Sequence, residues 1–197
     1  MLPEDPFLQL LLLVFFPLWL VAGLLDWFCH RRADIEGTTG SRESVLHLLK
    51  LGKISAAIVL GLLFEVTLAL LGAMSLLLLA HQATSYADTR FSQRRRHIGP
   101  FEQQVHGFID VLPWCALLIV AALYRADWLA QSALSFTLRA PALATHWFAV
   151  ALTPLLLAGV LGLEELWRGI RRSRQPSSWL DDQFKPSPPS WIDRYLE

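Results

Sequence analysis

Long apolar segments separated by short polar ones dominate the sequence, and this alternation predicts membrane-spanning helices. About 20 consecutive apolar residues are needed for one helix to cross a bilayer. Segments of about that length cover residues 7–28, 105–124 and 146–167. The apolar stretch 45–87 is too long for one crossing, and we interpret it as two helices that turn near Glu65. The pattern therefore predicts an all-α, polytopic membrane bundle of five transmembrane helices.

The composition favours a membrane protein over a soluble domain. The 197-residue chain is 54% hydrophobic with a mean hydropathy of +0.41, whereas soluble domains average about 45–50% apolar residues. The net charge is zero, and the sequence contains no phosphate-binding loop, nucleophile elbow or nucleic-acid-binding motif. The two cysteines have no metal-binding or redox spacing. We therefore expect no nucleic-acid partner and no requirement of the cysteines for an oxidising compartment.

Basic residues set the predicted orientation. All but two of the 17 lysines and arginines, Arg125 and Arg139, fall on one side of the predicted membrane. Loops rich in lysine and arginine stay in the cytoplasm, which places the N-terminus outside and the C-terminus in the cytoplasm. In this topology residues 1–170 form the transmembrane bundle, and residues 171–197 form a cytoplasmic tail rich in proline and serine.

Carboxylates and histidines recur at helical spacing near four of the predicted span ends. Three pairs are four residues apart and a fourth is two helical turns apart: Asp26/His30, Glu43/His47, Glu102/His106 and His81/Asp88. Residues four apart lie on the same helix face, so each pair can point at one target. All four span ends lie at the cytoplasmic boundary in the predicted topology. We therefore expect the eight side chains to meet in one layer of the bundle.

These eight side chains predict a metal site. Histidine nitrogen with carboxylate oxygen suits iron, manganese or zinc, and the absence of paired thiolates argues against iron–sulfur clusters. Eight ligands suffice for two metal ions with open positions, and soluble di-iron bundles, which take similar ligands from four helices, favour iron. Arg31, Arg90 and Asp110 are expected to orient the ligands or balance their charge. Glu36 is either a ninth ligand or a loop cap.

Two alternatives explain the same residues without a histidine–carboxylate metal site. The pairs can mark span ends as interfacial salt bridges with the abundant arginines, although charged groups inside spans are rare and usually functional. Alternatively, His81 and His106 bracket a haem b between the third and fourth spans. A haem leaves the carboxylates unexplained, whereas histidine–carboxylate ligation uses all eight residues.

Several short motifs together resemble a known family. They are Asp-Trp-x-Cys-His-Arg at 26–31, Glu-Ser-x-x-His at 43–47, His-x-Ala-Thr at 81–84, Pro-x-Glu-Gln-x-Val-His at 100–106 and Leu-Glu-Glu-Leu-Trp-Arg at 163–168. Over nearly its whole length the chain resembles a family of small five-span bacterial inner-membrane proteins that are similar to membrane-embedded di-iron carboxylate–histidine proteins. The resemblance implies a location in the bacterial inner membrane and names no substrate. Three positions depart from the family pattern: Gln82 replaces an acid, Ala87 a tryptophan and Gln104 a histidine.

The predicted function is metal-dependent oxidation of a lipid-soluble substrate or a quinol, in a site from which the spans exclude water. Membrane lipids, and a larger membrane complex or a homo-oligomer, are the other expected partners. Two further functions stay open. A zinc-dependent membrane hydrolase would use the same ligands to activate water. An accessory subunit would dock on a larger complex through its tail, where Trp179, Trp191 and Tyr195 offer aromatic anchors.

Overall fold

The computed structural model describes residues 9–130, 135–139 and 145–174, which form helices joined by short connections. A π-helical turn, Leu11–Phe15, leads into the first α-helix. The α-helices are α1 (Phe16–Arg32), α2 (Ile35–Thr38), α3 (Ser41–Leu63), α4 (Leu68–Gln93), α5 (Pro100–Leu123), α6 (Arg125–Ala130) and α7 (Thr145–Ser173). Within this part of the chain the only extended pairing is one isolated β-bridge, so the all-α prediction is confirmed there.

Four helical segments are long and apolar enough to cross a membrane: Leu13–Arg32, Ser41–Leu63, Leu68–Gln93 and Pro100–Leu123. They correspond to the first four predicted spans, and the turn predicted near Glu65 separates α3 from α4. The fifth predicted span, residues 146–167, lies within α7. The number of crossings and the orientation of the termini stay predictions. Residues 175–197 of the predicted tail lie outside the described residues.

The outside of the bundle is apolar, whereas a water-soluble bundle would be charged there. Large side chains such as Leu76, Leu118 and Leu156 are 67–70% exposed. The buried side chains, in contrast, include histidines, carboxylates, a lysine and an arginine. An apolar exterior around a polar interior is typical of helices that face lipid.

The turn between α3 and α4 lies at the end of the bundle opposite the buried histidines and carboxylates. Thr67 caps α4, because its hydroxyl accepts the Leu70 N–H and donates to the Ser135 carbonyl. Residues 135–139 run beside this turn, and the Glu65 N–H donates to a carbonyl of that segment. Buried backbone groups require such partners. Residues 135–139 therefore cover this turn and supply partners for its polar groups.

α7 packs closely on α3 because two of its glycines face the α2–α3 region. A Cβ on Gly162 would stand 2.8 Å from Leu48 Cδ2, and a Cβ on Gly169 would stand 3.0 Å from the Ser41 backbone nitrogen. Small residues permit such close approach between helices in membranes. Glu165 lies between the two glycines, about one turn from each. The close approach therefore carries the Glu165 carboxylate into the bundle.

Gly169→Val is expected to destabilise the bundle by about 1–3 kcal/mol, because the larger side chain would overlap the backbone at Ser41. Gly159, on the same helix, has nothing within 4 Å of the position of its Cβ. Gly159→Val is therefore the matched control, with little loss expected. Thermal unfolding of both variants in mild detergent measures the difference. Equal melting temperatures for the two variants would argue against the close packing of α7.

Candidate metal centre

Eight ionisable side chains meet inside the bundle where α1 and α4 end and α3 and α5 begin, and α7 supplies one of them. They form the histidine–carboxylate cluster: Asp26, His30, Glu43, His47, Asp88, Glu102, His106 and Glu165. All except His47 and His106 are at most 8% exposed. Seven of the eight predicted ligands thus lie together, and the eighth, His81, lies beside the cluster.

Helices α1 and α5 each bring an acid and a histidine to one side of the cluster. His30 Nε2 lies 3.4 Å from Asp26 Oδ1, one turn away on the same helix face. The same Asp26 oxygen lies 2.9 Å from His106 Nε2, and His30 Nε2 lies 3.6 Å from Glu102 Oε1. The four side chains therefore alternate acid and base across the α1–α5 contact.

Helices α3 and α4 form the other side of the cluster. His47 Nε2 lies 3.9 Å from Glu43 Oε1, again one turn away on the same helix. It also lies 3.0 Å from Asp88 Oδ2 of α4. The regular i, i+4 spacing in the sequence therefore brings acid and histidine together on α3 as it does on α1.

Glu165 fixes the orientation of two histidines. One of its carboxylate oxygens lies 3.1 Å from His30 Nδ1 and the other lies 3.0 Å from His47 Nδ1. The two imidazole rings stack with their centroids 4.3 Å apart and their planes within 6°. A carboxylate that accepts the Nδ1–H of a histidine leaves Nε2 as the free lone pair and holds the ring in place, as it does behind metal-binding histidines. Glu165 therefore presents both Nε2 atoms on the side away from α7.

Five polar atoms of the cluster are buried without a hydrogen-bond partner among the described residues. They are Nε2 of His30, His47 and His106 and Oδ1 of Asp26 and Asp88. The three nitrogens lie 2.9–3.4 Å from the nearest carboxylate oxygens, but these contacts lack hydrogen-bond angles. Buried polar atoms are normally paired. Converging lone pairs on nitrogen and oxygen are what a metal ion binds.

Two overlapping groups of cluster residues are compact enough to hold a metal ion. The first contains Asp26, His30, Glu102 and His106, and the second contains His30, Glu43 and His47. Within each group the ligand atoms lie within 4.8 Å of one another. Metal–ligand bonds of about 2.0–2.2 Å put opposite ligands of one ion about 4.2 Å apart. If the ligand atoms of either group moved slightly closer together, they would reach bonding distance of one ion. The cluster can therefore bind metal.

Arg96, in the connection between α4 and α5, joins two carboxylates of the cluster. Its guanidinium donates to both oxygens of Glu43 and both oxygens of Glu102 at 2.5–3.2 Å. Burial opposes the charge of Arg96, but these hydrogen bonds outweigh it and raise the pKa of the guanidinium above its usual range. Because each carboxylate oxygen has a second lone pair, Glu43 and Glu102 keep the capacity to bind metal.

The cluster holds more negative charge than permanent positive charge. Its five carboxylates face two permanent cations, Arg96 and Lys50, and Lys50 Nζ donates to Asp88 Oδ2 at 2.6 Å. Three carboxylate charges are left for protonated histidines or metal ions to balance, because uncompensated charge inside a bundle is costly. Protonated histidines would form ion pairs with the carboxylate oxygens 2.9–3.4 Å away, whereas metal ions would bind the same nitrogens and oxygens as ligands.

His81 forms a separate pair with Asp110 beside the cluster. His81 Nε2 lies 3.2 Å from Asp110 Oδ1, and Nδ1 lies 3.3 Å from the Lys50 carbonyl oxygen. Ser85 donates to the other Asp110 oxygen at 2.8 Å. Both ring nitrogens of His81 therefore have protein partners. This arrangement places His81 in neither metal group and leaves no nitrogen of it for a haem iron.

The other predicted charge-balancing residues lie around the cluster, mostly in contact with α7. Arg31 lies 3.6 Å from Glu164 Oε1, and Glu36 forms an ion pair with Arg168. Arg90 is exposed. None of these three residues belongs to either metal group.

Three residues of the centre are not among the predicted site residues: Glu165, Arg96 and Lys50. Glu165 lies near the C-terminal end of the fifth predicted span, which the predicted topology puts at the same depth as the four pairs, and this shared depth is a usable signal. Lys50 follows His47 by one turn, so the i, i+3 spacing is a second signal. Arg96 is the last of three consecutive arginines, and nothing in the sequence separates the buried one from its neighbours.

The family pattern and the comparisons with known proteins add little to this geometry. The three departures from the pattern, Gln82, Ala87 and Gln104, are exposed positions outside the cluster. The chain matches no family model, no curated protein and no solved structure. The family resemblance therefore stays a prediction, and the arrangement of the cluster carries the functional argument.

Arg96→Ala is expected to destabilise the protein by about 3–5 kcal/mol, because it leaves two buried carboxylates without their cation. The neighbouring Arg95 is exposed and stacks on Phe91. Arg95→Ala removes the same charge without touching the cluster and is expected to change stability far less. Chemical unfolding in mild detergent, with a chelator keeping metal out of both variants, measures the difference. Equal stability of the two variants would mean that Arg96 does not hold the carboxylates together.

Proposed function

We propose that the protein is a membrane-embedded metalloenzyme whose cluster holds two iron ions and oxidises a lipid-soluble substrate or a quinol. One observation carries the proposal: three unpaired imidazole Nε2 atoms lie among buried carboxylates, and Glu165 fixes two of these imidazoles from behind. These nitrogens lie 2.9–3.4 Å from carboxylate oxygens but do not point at them with the angles of hydrogen bonds. This arrangement favours a metal ion between them over ion pairs alone. Metal binding gives each of them a partner.

The cluster offers one ligand set for each ion. The α1–α5 set is Asp26, His30, Glu102 and His106. The α3–α4 set is Glu43, His47 and Asp88, in which His47 Nε2 faces both carboxylates. His30 Nε2 lies near both sets, at 4.0 Å from Glu43 Oε1. Because one nitrogen lone pair binds one ion, we assign His30 to the α1–α5 set, where it joins three further ligands.

The donor atoms favour iron and keep zinc as the alternative. Both sets contain only nitrogen and oxygen donors, and Cys29 and Cys115 belong to neither metal group. Histidine and carboxylate ligands from four helices are the arrangement found in di-iron bundles. A bound iron pair supplies one-electron and oxygen chemistry. Zinc accepts the same donors and favours hydrolysis, so the identity of the metal decides between an oxidoreductase and a hydrolase.

The residues of the chain supply orientation and access. Glu165 holds the two stacked imidazoles, and Arg96 holds two carboxylates in place. A cavity in the bundle is lined by cluster residues including His30 and His47, and otherwise mostly by apolar side chains. A lipid-soluble molecule can therefore approach the centre without crossing water, which supports a hydrophobic substrate.

Glu165→Gln is expected to lower metal affinity about 10–100-fold, because an amide nitrogen cannot accept an Nδ1–H hydrogen bond and one histidine loses its support. The adjacent Glu164 contacts Arg31 and Arg168 instead. Glu164→Gln is therefore the matched control, with unchanged metal affinity expected. Metal titration of the purified, chelator-treated variants measures both. An equal loss in the two variants, or none in Glu165→Gln, contradicts the role given to Glu165.

His47→Ala tests the ligand set directly. It is expected to lose the ion assigned to α3 and α4 while the protein still inserts into the membrane, because the change removes a ligand and leaves every helix intact. Elemental analysis of membranes and of purified protein measures metal content and insertion. Unchanged metal content in His47→Ala would remove His47 from the ligands.

A further inference from the structure

Two neighbouring cavities share two lining residues, Trp19 and Ile54. The first, here named the apolar cavity, has a volume of about 210 Å³ and is lined mainly by α1, α3, α4 and α5. The second, the centre cavity, has a volume of about 110 Å³ and reaches Asp26, His30 and Glu165. A molecule that fills both would run from the apolar interior of the bundle to the metal centre.

The apolar cavity suits a hydrocarbon chain. Along α3 it extends from Ile54 to Leu62, a rise of about 12 Å at about 1.5 Å per residue. Apart from Trp19 at one end and Tyr124 and Arg139 at the other, the lining is apolar. Water gains no hydrogen bonds in such a cavity, whereas a hydrocarbon chain is stabilised by burial there.

Trp19 marks the junction between the cavities with an unused hydrogen-bond donor. Its indole Nε1 is buried and has no hydrogen-bond partner among the described residues. Buried indole N–H groups usually have an acceptor. Because Trp19 lines both cavities, a ligand that carries an oxygen at the junction would supply that acceptor.

The negative charge around the centre cavity favours a ligand with a neutral head group. Asp26 and Glu165 line this cavity, and the other three carboxylates of the cluster lie 3.0–4.0 Å from His30 or His47, which also line it. Lys50 also lines it, but its ammonium group donates to Asp88. In chelator-treated protein, an anionic phosphate or carboxylate head would face this uncompensated negative charge in a medium of low dielectric constant. A carbonyl or hydroxyl group avoids that repulsion.

We infer that the two cavities form one binding site for a neutral, single-chain lipid that carries a carbonyl or hydroxyl oxygen. The chain occupies the apolar cavity, and the oxygen accepts the Trp19 N–H at the junction. The head group then faces the metal centre from the centre cavity. This inference rests on the proposed function for the chemistry of that head group, but the binding itself is measurable without it.

Binding of three tritiated probes to the full chain in lipid nanodiscs tests the inference. The probes are a decyl-substituted benzoquinone, 1-dodecanol and dodecanoate, so that a quinone head, an alcohol head and a charged head are compared. Ala57→Phe fills the apolar cavity, which Ala57 lines. Ala56→Phe is the matched control, because Ala56 is exposed on the same helix. Trp19→Phe removes the N–H and keeps an aromatic ring.

We expect saturable binding of the quinone, the alcohol or both, weakened about tenfold or more by Ala57→Phe and unchanged by Ala56→Phe. Loss of one hydrogen bond in Trp19→Phe is expected to weaken binding about two- to tenfold. The quinone and the alcohol arms identify which neutral head the site takes. Dodecanoate bound to chelator-treated protein as tightly as dodecanol, or no neutral probe bound saturably, would overturn the inference.

Metal content measured on the same samples separates this inference from the proposed function. Protein that holds metal but binds no neutral probe refutes the lipid site and leaves the metal centre standing. Protein that binds a neutral probe with the expected variant pattern but holds no metal supports the lipid site and refutes the proposed function.

Discussion

Charge buried inside an apolar bundle is the constraint on which the rest of the structure depends. An uncompensated carboxylate or cation in such an interior costs several kcal/mol, and the cluster gathers five carboxylates with Arg96 and Lys50. Each of these groups finds its partners on other helices or in the α4–α5 connection. Removing one helix would therefore leave charge unpaired on its neighbours. This requirement holds the ends of α1, α3, α4 and α5 in one layer and leaves their apolar faces outward.

Close packing of α7 on α3 adds the carboxylate that orients two histidines of this layer. Gly162 and Gly169 let α7 approach α3, and the approach places Glu165 behind His30 and His47. The Nδ1 atoms of both histidines are engaged there, so their Nε2 atoms are left toward the carboxylates. The arrangement is typical of metal-binding histidines, whose ring orientation is fixed by a carboxylate behind them. Backbone contact and side-chain orientation are thus successive consequences of one helix packing, and they leave the two Nε2 atoms where a metal ion could bind.

The sequence allows the helices and most of the cluster to be predicted, because hydropathy and i, i+4 spacing are local properties of a helix. His30 and His47 each lie near the acid one turn before them for this reason. Other contacts depend on how helices rotate and approach one another. His81 pairs with Asp110 rather than joining the cluster, and Glu165 and Arg96 reach it through helix packing and the path of a connection. Residue spacing along one helix does not encode those distances.

The metal content of wild-type protein purified in mild detergent, with its ultraviolet–visible spectrum, tests the central claim most directly. The metal-centre interpretation predicts about two irons per chain, as in di-iron helix bundles, without the Soret band of a haem. Folded protein that contains no metal, even after growth with added iron and zinc, would contradict it. The cluster would then be a network of buried ion pairs that holds the bundle together.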